Sequence, residues 1–500
     1  MTKRLHHLAH YLGWSAALLA LLAATAGTPL AAADVPGCSV SFSSSTVDGS
    51  SLWTDLQPKD GTERNCNFHN FIYNNFLYLV ADDGNGHPRF MSLAPWYQLL
   101  PKSGEPTWEG SYQPFRPIEI VKSNSRQFGG EAGDNFRLLD VNSNATGYDI
   151  RVNKPFLDYV KNKDLYTSTG QKAAAAAFQS NPPDGGTWLP WGSDSEVGAI
   201  EIKTAWRDYG TNEDACPSDI MHCEEATDGH YWGFVAMHLV QKTPTRGELV
   251  WGSFEHVANS PDCNPSVGIS GQTYDASNPI QENPKDPVTG GTISQGWNYF
   301  DYSSYQNAGG DGTTCTFPDD SSQPASDAQC NADPVSGYDK NGDPTFQRID
   351  ACRTDVLPAV SASDCETNIR NALNVSCLNR SVLVNFPGGL DSKWKYYQLI
   401  GAEWMSAASV PTTGCFSYNG GPHCPQGGSA PHFDRAGTTE LANTTMETWM
   451  QKSMAGKYKS TEQGGHSQPV NATDCFSCHM PETTSWGEGD TSHVFTRIQQ

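Results

Sequence analysis

The stretch "YWGFVAMHLVQKTPTRGELVWGSFEHVA", residues 231–258, decides the fold class. Its two arms, "YWGFVAMHLVQ" (231–241) and "ELVWGSFEHVA" (248–258), are rich in β-branched and aromatic residues, which suit a pleated surface. Between them "KTPTRG" supplies Pro and Gly over a short connection, so the arms read as a β-hairpin. Upstream, "EVGAIEIKTAW" (196–206) also reads as a strand, with Glu201 and Lys203 on one face and Ile200 and Ile202 on the other. "KWKYYQLIGAEWM" (393–405) reads as a further strand. The fold class expected is mixed and β-rich: a large antiparallel β body with long disulfide-tied loops and a few helices.

Three segments carry helical signals. In "NCNFHNFIYNNFLYLVADDGNG", residues Phe68, Phe71, Ile72, Phe76 and Leu79 recur at three- and four-residue steps, and "DDGNG" ends the pattern. "KAAAAAF" (172–178) reads as helix on propensity. From Gly437 onward "GTTELANTTMETWMQKSM" turns helical again, over 437–454. Residues 259–345 show little periodicity and much Asp, Asn, Gly, Pro and Ser; with Cys263, Cys315 and Cys330 inside, they read as long loop tied by disulfides. The division expected is residues 1–33 as a signal peptide, 34–435 as the β-rich body and 436–500 as a small C-terminal helical segment.

The first 33 residues combine Lys3 and Arg4, the apolar run "WSAALLALLAA" and Ala31-Ala32-Ala33, the three parts of a secretory signal. The apolar run is short for a span of about 20 residues. Gly37-Cys38 faintly resembles a lipid-attachment box, but Pro36 and the distance from the apolar run speak against it. Without residues 1–33 the chain keeps 30 basic against 55 acidic residues, a net charge of −25. Such a charge repels nucleic acid and anionic lipid. The expectation is a periplasmic or secreted protein with no membrane insertion after signal cleavage. Twelve cysteines remain once Cys475 and Cys478 are set aside, an even number that reads as disulfides in an exported chain. Cys216/Cys223, Cys315/Cys330, Cys352/Cys365 and Cys415/Cys424 are the local pairs that spacing offers.

The most specific chemical signal is "DCFSCHM", residues 474–480. Covalent haem c needs two thiols that reach two vinyl groups from one turn of chain, and an imidazole beside them to take the iron. Cys475, Cys478 and His479 supply those groups, with His479 as proximal ligand. A zinc site wants four ligands, and the nearest further candidates, His466 and His493, are isolated. A thioredoxin-like disulfide wants a βαβ surround, which the flanking sequence lacks. Met480 is covalently next to the proximal ligand and lies on the wrong side of the iron. A sixth ligand must come from upstream, where Met446, Met450 and Met454 lie on the expected helix and His238 and His256 on the expected strands. An open sixth position is the alternative and favours small-molecule chemistry at the iron.

No other reaction centre stands out. Glu255 and His256 point to opposite faces of a regular strand and cannot act on each other. "DKNGDPTFQRID" sets Asp339, Asn341, Asp343 and Asp350 at positions 1, 3, 5 and 12 of an EF-hand-like calcium loop. Pro344 stands where that loop needs Gly, and the last position is Asp instead of Glu, so calcium competes with a plain polar turn.

Taken together, "EVGAIEIKTAWR", "GFVAMHLVQKTP…LVWGSFEHVAN", "LANTTMETWMQ" and "CFSCHM…DTSHVFTRI" resemble a group of exported bacterial proteins known as cytochrome c family proteins. The likeness spans 195–258 and 437–500, with a fainter echo at 65–120. It implies one covalent haem at Cys475, Cys478 and His479 and transfers no reaction. The function expected is an exported mono-haem c-type cytochrome, acting in electron transfer with a redox partner protein or as a haem-dependent oxidoreductase. The rival is an extracellular glycan-binding or gas-sensing β module with a structural haem.

Overall fold

The protein is described by a computed structural model. It covers residues 37–44, 47–57, 64–117, 138–180, 189–246, 249–262, 281–302, 335–338, 344–346, 353, 357–367, 369, 371–405, 416–418, 421–423, 435–438 and 443–446. The strands in chain order are β1 (Ala94–Pro95), β2 (Gly147–Val152), β3 (Ile200–Asp208), β4 (Cys223–Glu225), β5 (Tyr231–Lys242) and β6 (Leu249–His256). They continue with β7 (Val335–Tyr338), β8 (Pro344–Phe346), β9 (Tyr397–Met405), β10 (Phe416–Tyr418), β11 (Gly421–His423) and β12 (Arg435–Gly437). The longer helices are α1 (Asn65–Val80), α2 (Lys154–Asn162), α3 (Ser168–Ser180) and α4 (Asn371–Val384). One antiparallel sheet runs in the order β1-β2-β3-β5-β6-β9-β12, with β4 alongside β5; β7–β8 and β10–β11 are separate hairpins.

The hairpin read from residues 231–258 is the centre of that sheet. Its arms pair from Lys242↔Leu249 to Ala236↔Glu255. Thr243 and Arg246 close the turn by exchanging backbone hydrogen bonds, and Asp55 accepts from the Thr245 hydroxyl at 2.7 Å. Antiparallel strands usually keep one face wet. Here every residue of β6, and all of β5 except Tyr231, is buried, so both faces are covered. Strand β3, nearer the edge, shows the expected alternation, with Ile200 and Ile202 buried and Glu201 and Lys203 half-buried.

Helix α1 covers the first face. The five residues whose spacing predicts it are all buried, in one cluster with Met237, Leu239, Val250, Phe254, Leu399 and Trp404. Phe76 stacks on Phe254 at 3.9 Å between ring centroids, and Phe68 on Trp404 at 4.0 Å. Gly252 makes that approach feasible, because a Cβ there would lie 2.1 Å from Cγ2 of Ile72. The second face is packed by α2, through Phe156, Leu157 and Val160, together with Tyr299 and Met446.

Three disulfides are described: Cys38–Cys66, Cys216–Cys223 and Cys365–Cys377. The second matches the expected local pair. Cys365 takes Cys377 in place of Cys352, because α4 turns that cysteine into a cluster with Ile369, and Val40 pairs its backbone with Cys365. The spacings, 13 residues to Cys352 and 12 to Cys377, were too similar to decide between them. Cys38, with its sulfur bonded to Cys66, has no thiol for lipid attachment. Cys315/Cys330 and Cys415/Cys424 lie outside the described residues, as do the signal segment 1–33 and most of 436–500.

The helix expected from Gly437 is not formed where it is described. Gly437 pairs with Glu403 as the end of β12, and Thr444, Thr445 and Met446 form a turn. Gly437 has φ +100°, which a helix excludes, and a Cβ there would meet the Ala402 carbonyl oxygen at 2.2 Å. Pairing with β9 overrides the local propensity of this segment. Among the described residues no helix is long and apolar enough to cross a membrane.

Replacing Gly252 by Ala is expected to lower stability by about 1–3 kcal/mol through overpacking against α1. Combining it with Ile72→Ala should cost clearly less than the sum of the two changes. Urea unfolding of the four proteins measures this coupling, and strict additivity would refute the close-approach argument.

Candidate functional site

The second face of the sheet carries an unusual number of buried polar groups, and register explains their grouping. Lys203 on β3, His238 on β5 and Ser253 on β6 are cross-strand neighbours in one row. Two residue pairs further along, on the same face, Ala236 stands opposite Glu255. The segment Asn443–Met446 lies on this face. The Asn443 amide donates to Ser253 Oγ at 3.0 Å and to the Phe254 carbonyl at 2.9 Å. The Thr444 backbone N–H donates to Glu255 Oε2 at 2.9 Å, and the Tyr148 hydroxyl donates to the Thr445 carbonyl at 2.8 Å. Glu255, fully buried, is also paired with Arg353 through Oε1. Asn443, Thr444 and Thr445 are therefore each hydrogen-bonded to the body.

Of the candidate iron ligands, Met446 and His238 belong to this face. Met446 is 2% exposed, with its side chain in the second core cluster beside the sheet residues Ile150, Ala205 and Ala236. His238 is buried in the middle of the row. His256 differs. It lies on the other side of β6 from Glu255, as alternation requires, and both ring nitrogens are engaged. Nε2 donates to the Ile220 carbonyl at 2.9 Å, and Nδ1 accepts from the Ala258 N–H at 3.1 Å. Ring stacking on Tyr396 and an edge contact with Tyr397 hold it further. Iron ligation by His256 would break one of those bonds in a fully buried site. Met450, Met454 and the motif residues Cys475, Cys478 and His479 lie outside the described residues.

Asp339, Asn341, Asp343 and Asp350 are themselves outside the described residues, but what flanks the first three is not. Strands β7 and β8 pair with each other, Tyr338 opposite Pro344. Among the described residues no group of three His, Cys, Asp or Glu side chains is placed to hold a metal ion.

A second titratable cluster was not anticipated. His222 Nε2 donates to Glu224 Oε1 at 2.9 Å, and the Tyr112 hydroxyl donates to Glu224 Oε2 at 3.0 Å. His87, one-third exposed, stacks on Tyr112 at 3.8 Å and brings Nδ1 to 4.0 Å from Glu224 Oε1. Burial pushes the Glu224 carboxyl up, but the hydrogen bond and charge of His222, then Tyr112 and His87, outweigh it and hold the group below its ordinary range. The His222 ring stacks on Trp394 and meets Phe90 and Trp206 edge-on. The Cys216–Cys223 disulfide and the Tyr397 hydroxyl, which accepts from the His222 N–H at 3.2 Å, brace the same strand. The arrangement fixes one imidazole tautomer against a carboxylate. The signal was present in "HCE" (222–224), where an i, i+2 pair in a strand shares a face.

Compared with family models, curated proteins and solved structures, the chain matches none of them.

His256 and His69 are both fully buried and held neutral, each with its pKa lowered by burial to about 4 against 6.5 for a free imidazole. The unfolded chain therefore binds more protons than the folded one between pH 6.5 and pH 4, and stability falls as pH drops through that window. Each ring is expected to remove about 2 kcal/mol at pH 5 relative to pH 8. Urea unfolding at the two pH values checks this: His69→Gln should show a pH dependence smaller by about that amount, whereas an unchanged dependence refutes the assignment.

Proposed function

We propose that the chain is an exported mono-haem c-type protein that works in electron transfer or as a haem-dependent oxidoreductase. The observation that carries this reading is Cys475-x-x-Cys478-His479. Its donor set fits the group: two thiols three residues apart, and an imidazole directly after the second. The three described disulfides favour folding in an oxidising compartment, outside the cytoplasm, where thioether attachment also takes place.

When bound, the haem would supply a one-electron ferrous/ferric couple. The chain's own contribution is ligation and shielding. His479 would hold the iron on the proximal side, with Cys475 and Cys478 fixing the ring edge. The Asn443–Met446 anchor joins the C-terminal region to the face that bears His238 and Met446, which keeps His238 ahead of His256 as a distal ligand. Shielding by a folded body lowers the local dielectric and so tunes the potential. With net charge −25 after removal of residues 1–33, the surface would steer a basic redox protein toward it.

The test is an absorption spectrum of protein matured in a host competent for c-type cytochromes. The reduced pyridine adduct is expected to show a haem with both vinyl groups saturated, and the pigment should stay with the protein in acidified acetone. Cys475→Ser or Cys478→Ser should give a haem with one vinyl intact. Colourless protein, or a pigment that acetone extracts, ends the haem reading.

A further inference from the structure

Two half-buried tyrosines, one packed against each core cluster, donate their hydroxyls to carboxylates. Tyr112 donates to Glu224 Oε2 at 3.0 Å, and Tyr396 donates to Asp286 Oδ2 at 3.0 Å. A line of ring contacts joins the two pairs. Tyr396 stacks on His256 with 6.1 Å between ring centroids, and His256 meets Tyr397 edge-on at 5.0 Å. Tyr397 lies 5.1 Å from Trp394, which stacks on His222 at 5.4 Å. His222 bonds Glu224 through Nε2 at 2.9 Å, and that returns the line to Tyr112.

Ring packing alone explains the interior of this line, because stacked and edge-on pairs stabilise any core. It leaves the two ends unexplained, where a phenol meets a proton acceptor. Burial pulls the Asp286 carboxyl up, but the N–H groups of Thr289 and Val288, then the Tyr396 hydroxyl, outweigh it and hold the group below its ordinary range, as His222 and Tyr112 do for Glu224. Both acids are therefore ionised at neutral pH. Burial, then the neighbouring carboxylate, pushes the Tyr396 phenol up to about 12 and raises the Tyr112 phenol as well, so both keep their protons. A phenol that loses an electron becomes a strong acid, and its oxidation is eased where a base waits at hydrogen-bond distance. The interior groups differ. The Tyr397 hydroxyl donates to the Phe234 carbonyl at 2.7 Å, which does not take up a proton. Trp394 is buried beside it, and an indole can lose an electron and keep its proton.

We propose that Tyr112, Trp394 and Tyr396 form a hopping relay that carries single electrons between the two ends of this line. A one-electron oxidant at the first end takes an electron from Tyr112, and the phenolic proton passes to Glu224. Trp394 refills Tyr112 as Glu224 returns the proton. Tyr396 refills Trp394 and passes its own proton to Asp286, and a one-electron donor at the second end restores Tyr396 as that proton returns. One electron crosses from donor to oxidant, and the protein ends as it began. The relay uses no residue of the Cys-x-x-Cys-His motif and so goes beyond the haem reading.

In the full-length mature protein, flash-generated tris(bipyridine)ruthenium(III) serves as oxidant, and a nitroso spin trap read by peptide mass spectrometry marks the residues that carry the radical. Adducts are expected at Tyr112 and Tyr396. Tyr112→Phe should raise the Tyr396 adduct by the share that Tyr112 loses, and adding Trp394→Phe should abolish that gain. Glu224→Gln should slow radical formation at Tyr112 by about 100-fold. The wild-type protein gives a check that needs no variant: phenoxyl formation should be slower in heavy water, because the proton moves with the electron. No adduct at one of the two tyrosines, a Tyr396 adduct unmoved by Tyr112→Phe, a gain that survives Trp394→Phe, an unchanged rate in Glu224→Gln, or equal rates in light and heavy water overturns the relay. The added oxidant acts with or without haem, so failure of the relay and failure of the haem reading are told apart.

Discussion

A strand pair taken out of water on both faces needs two covers, and in this chain they are built from segments far apart in sequence. Helix α1, near the beginning, seals one face of β5 and β6 through Phe76 on Phe254 and Phe68 on Trp404. Such stacked pairs add about 0.5–1.5 kcal/mol each beyond the area they bury. Residues 443–446, near the end, lie on the other. Neither cover works alone, because removing one leaves apolar strand surface in water. The sheet is thus complete only when distant segments have returned to it, and the disulfides at Cys38–Cys66 and Cys365–Cys377 shorten the search for the first of them.

The two covers differ in chemistry. On the α1 side the contacts are apolar and aromatic, and Gly252 sets how close the helix comes. On the other side hydrogen bonds to buried groups stand beside the apolar packing of Phe156, Leu157, Val160 and Tyr299. Glu255 has one oxygen on Arg353 and the other on the Thr444 N–H, and Asn443 uses its amide on Ser253 and the Phe254 carbonyl. Buried carboxylates are costly unless both oxygens find donors. The polar face therefore selects one placement of the C-terminal segment where an apolar face would tolerate several.

Much of this was legible from residue order. The hairpin announced itself because both arms are β-rich and the loop between them carries Pro and Gly, and α1 because its apolar residues fall on one stripe. The failures have physical causes. Residues 437–446 have helical composition, but Gly437 adopts a positive φ against Trp404 and pairs with β9, a tertiary contact that local propensity cannot register. Cys365 had two neighbours at nearly equal spacing, and only the course of α4 chooses between them. Of the site candidates, strand alternation did separate Glu255 from His256. It could not show that His256 spends both nitrogens on backbone partners, since Ile220 is 36 positions away. The His222–Glu224 pair passed unnoticed because β4 is only three residues long, too short for periodicity to mark as a strand.

Glu255 gains meaning from its position between two returning segments. Its strand neighbours are fixed by the hairpin, so its carboxylate is in place once β5 and β6 pair. Arg353 arrives after the chain has passed through residues 263–352, and Thr444 arrives some ninety residues later again. Arg353 pairs with one oxygen of Glu255, and the other accepts from the Thr444 N–H. The segment at Arg353 and the segment at Thr444 meet in this way at one carboxylate. Ser260 is a second link between them, its carbonyl accepting from Arg353 and its hydroxyl bonded to the Thr444 hydroxyl.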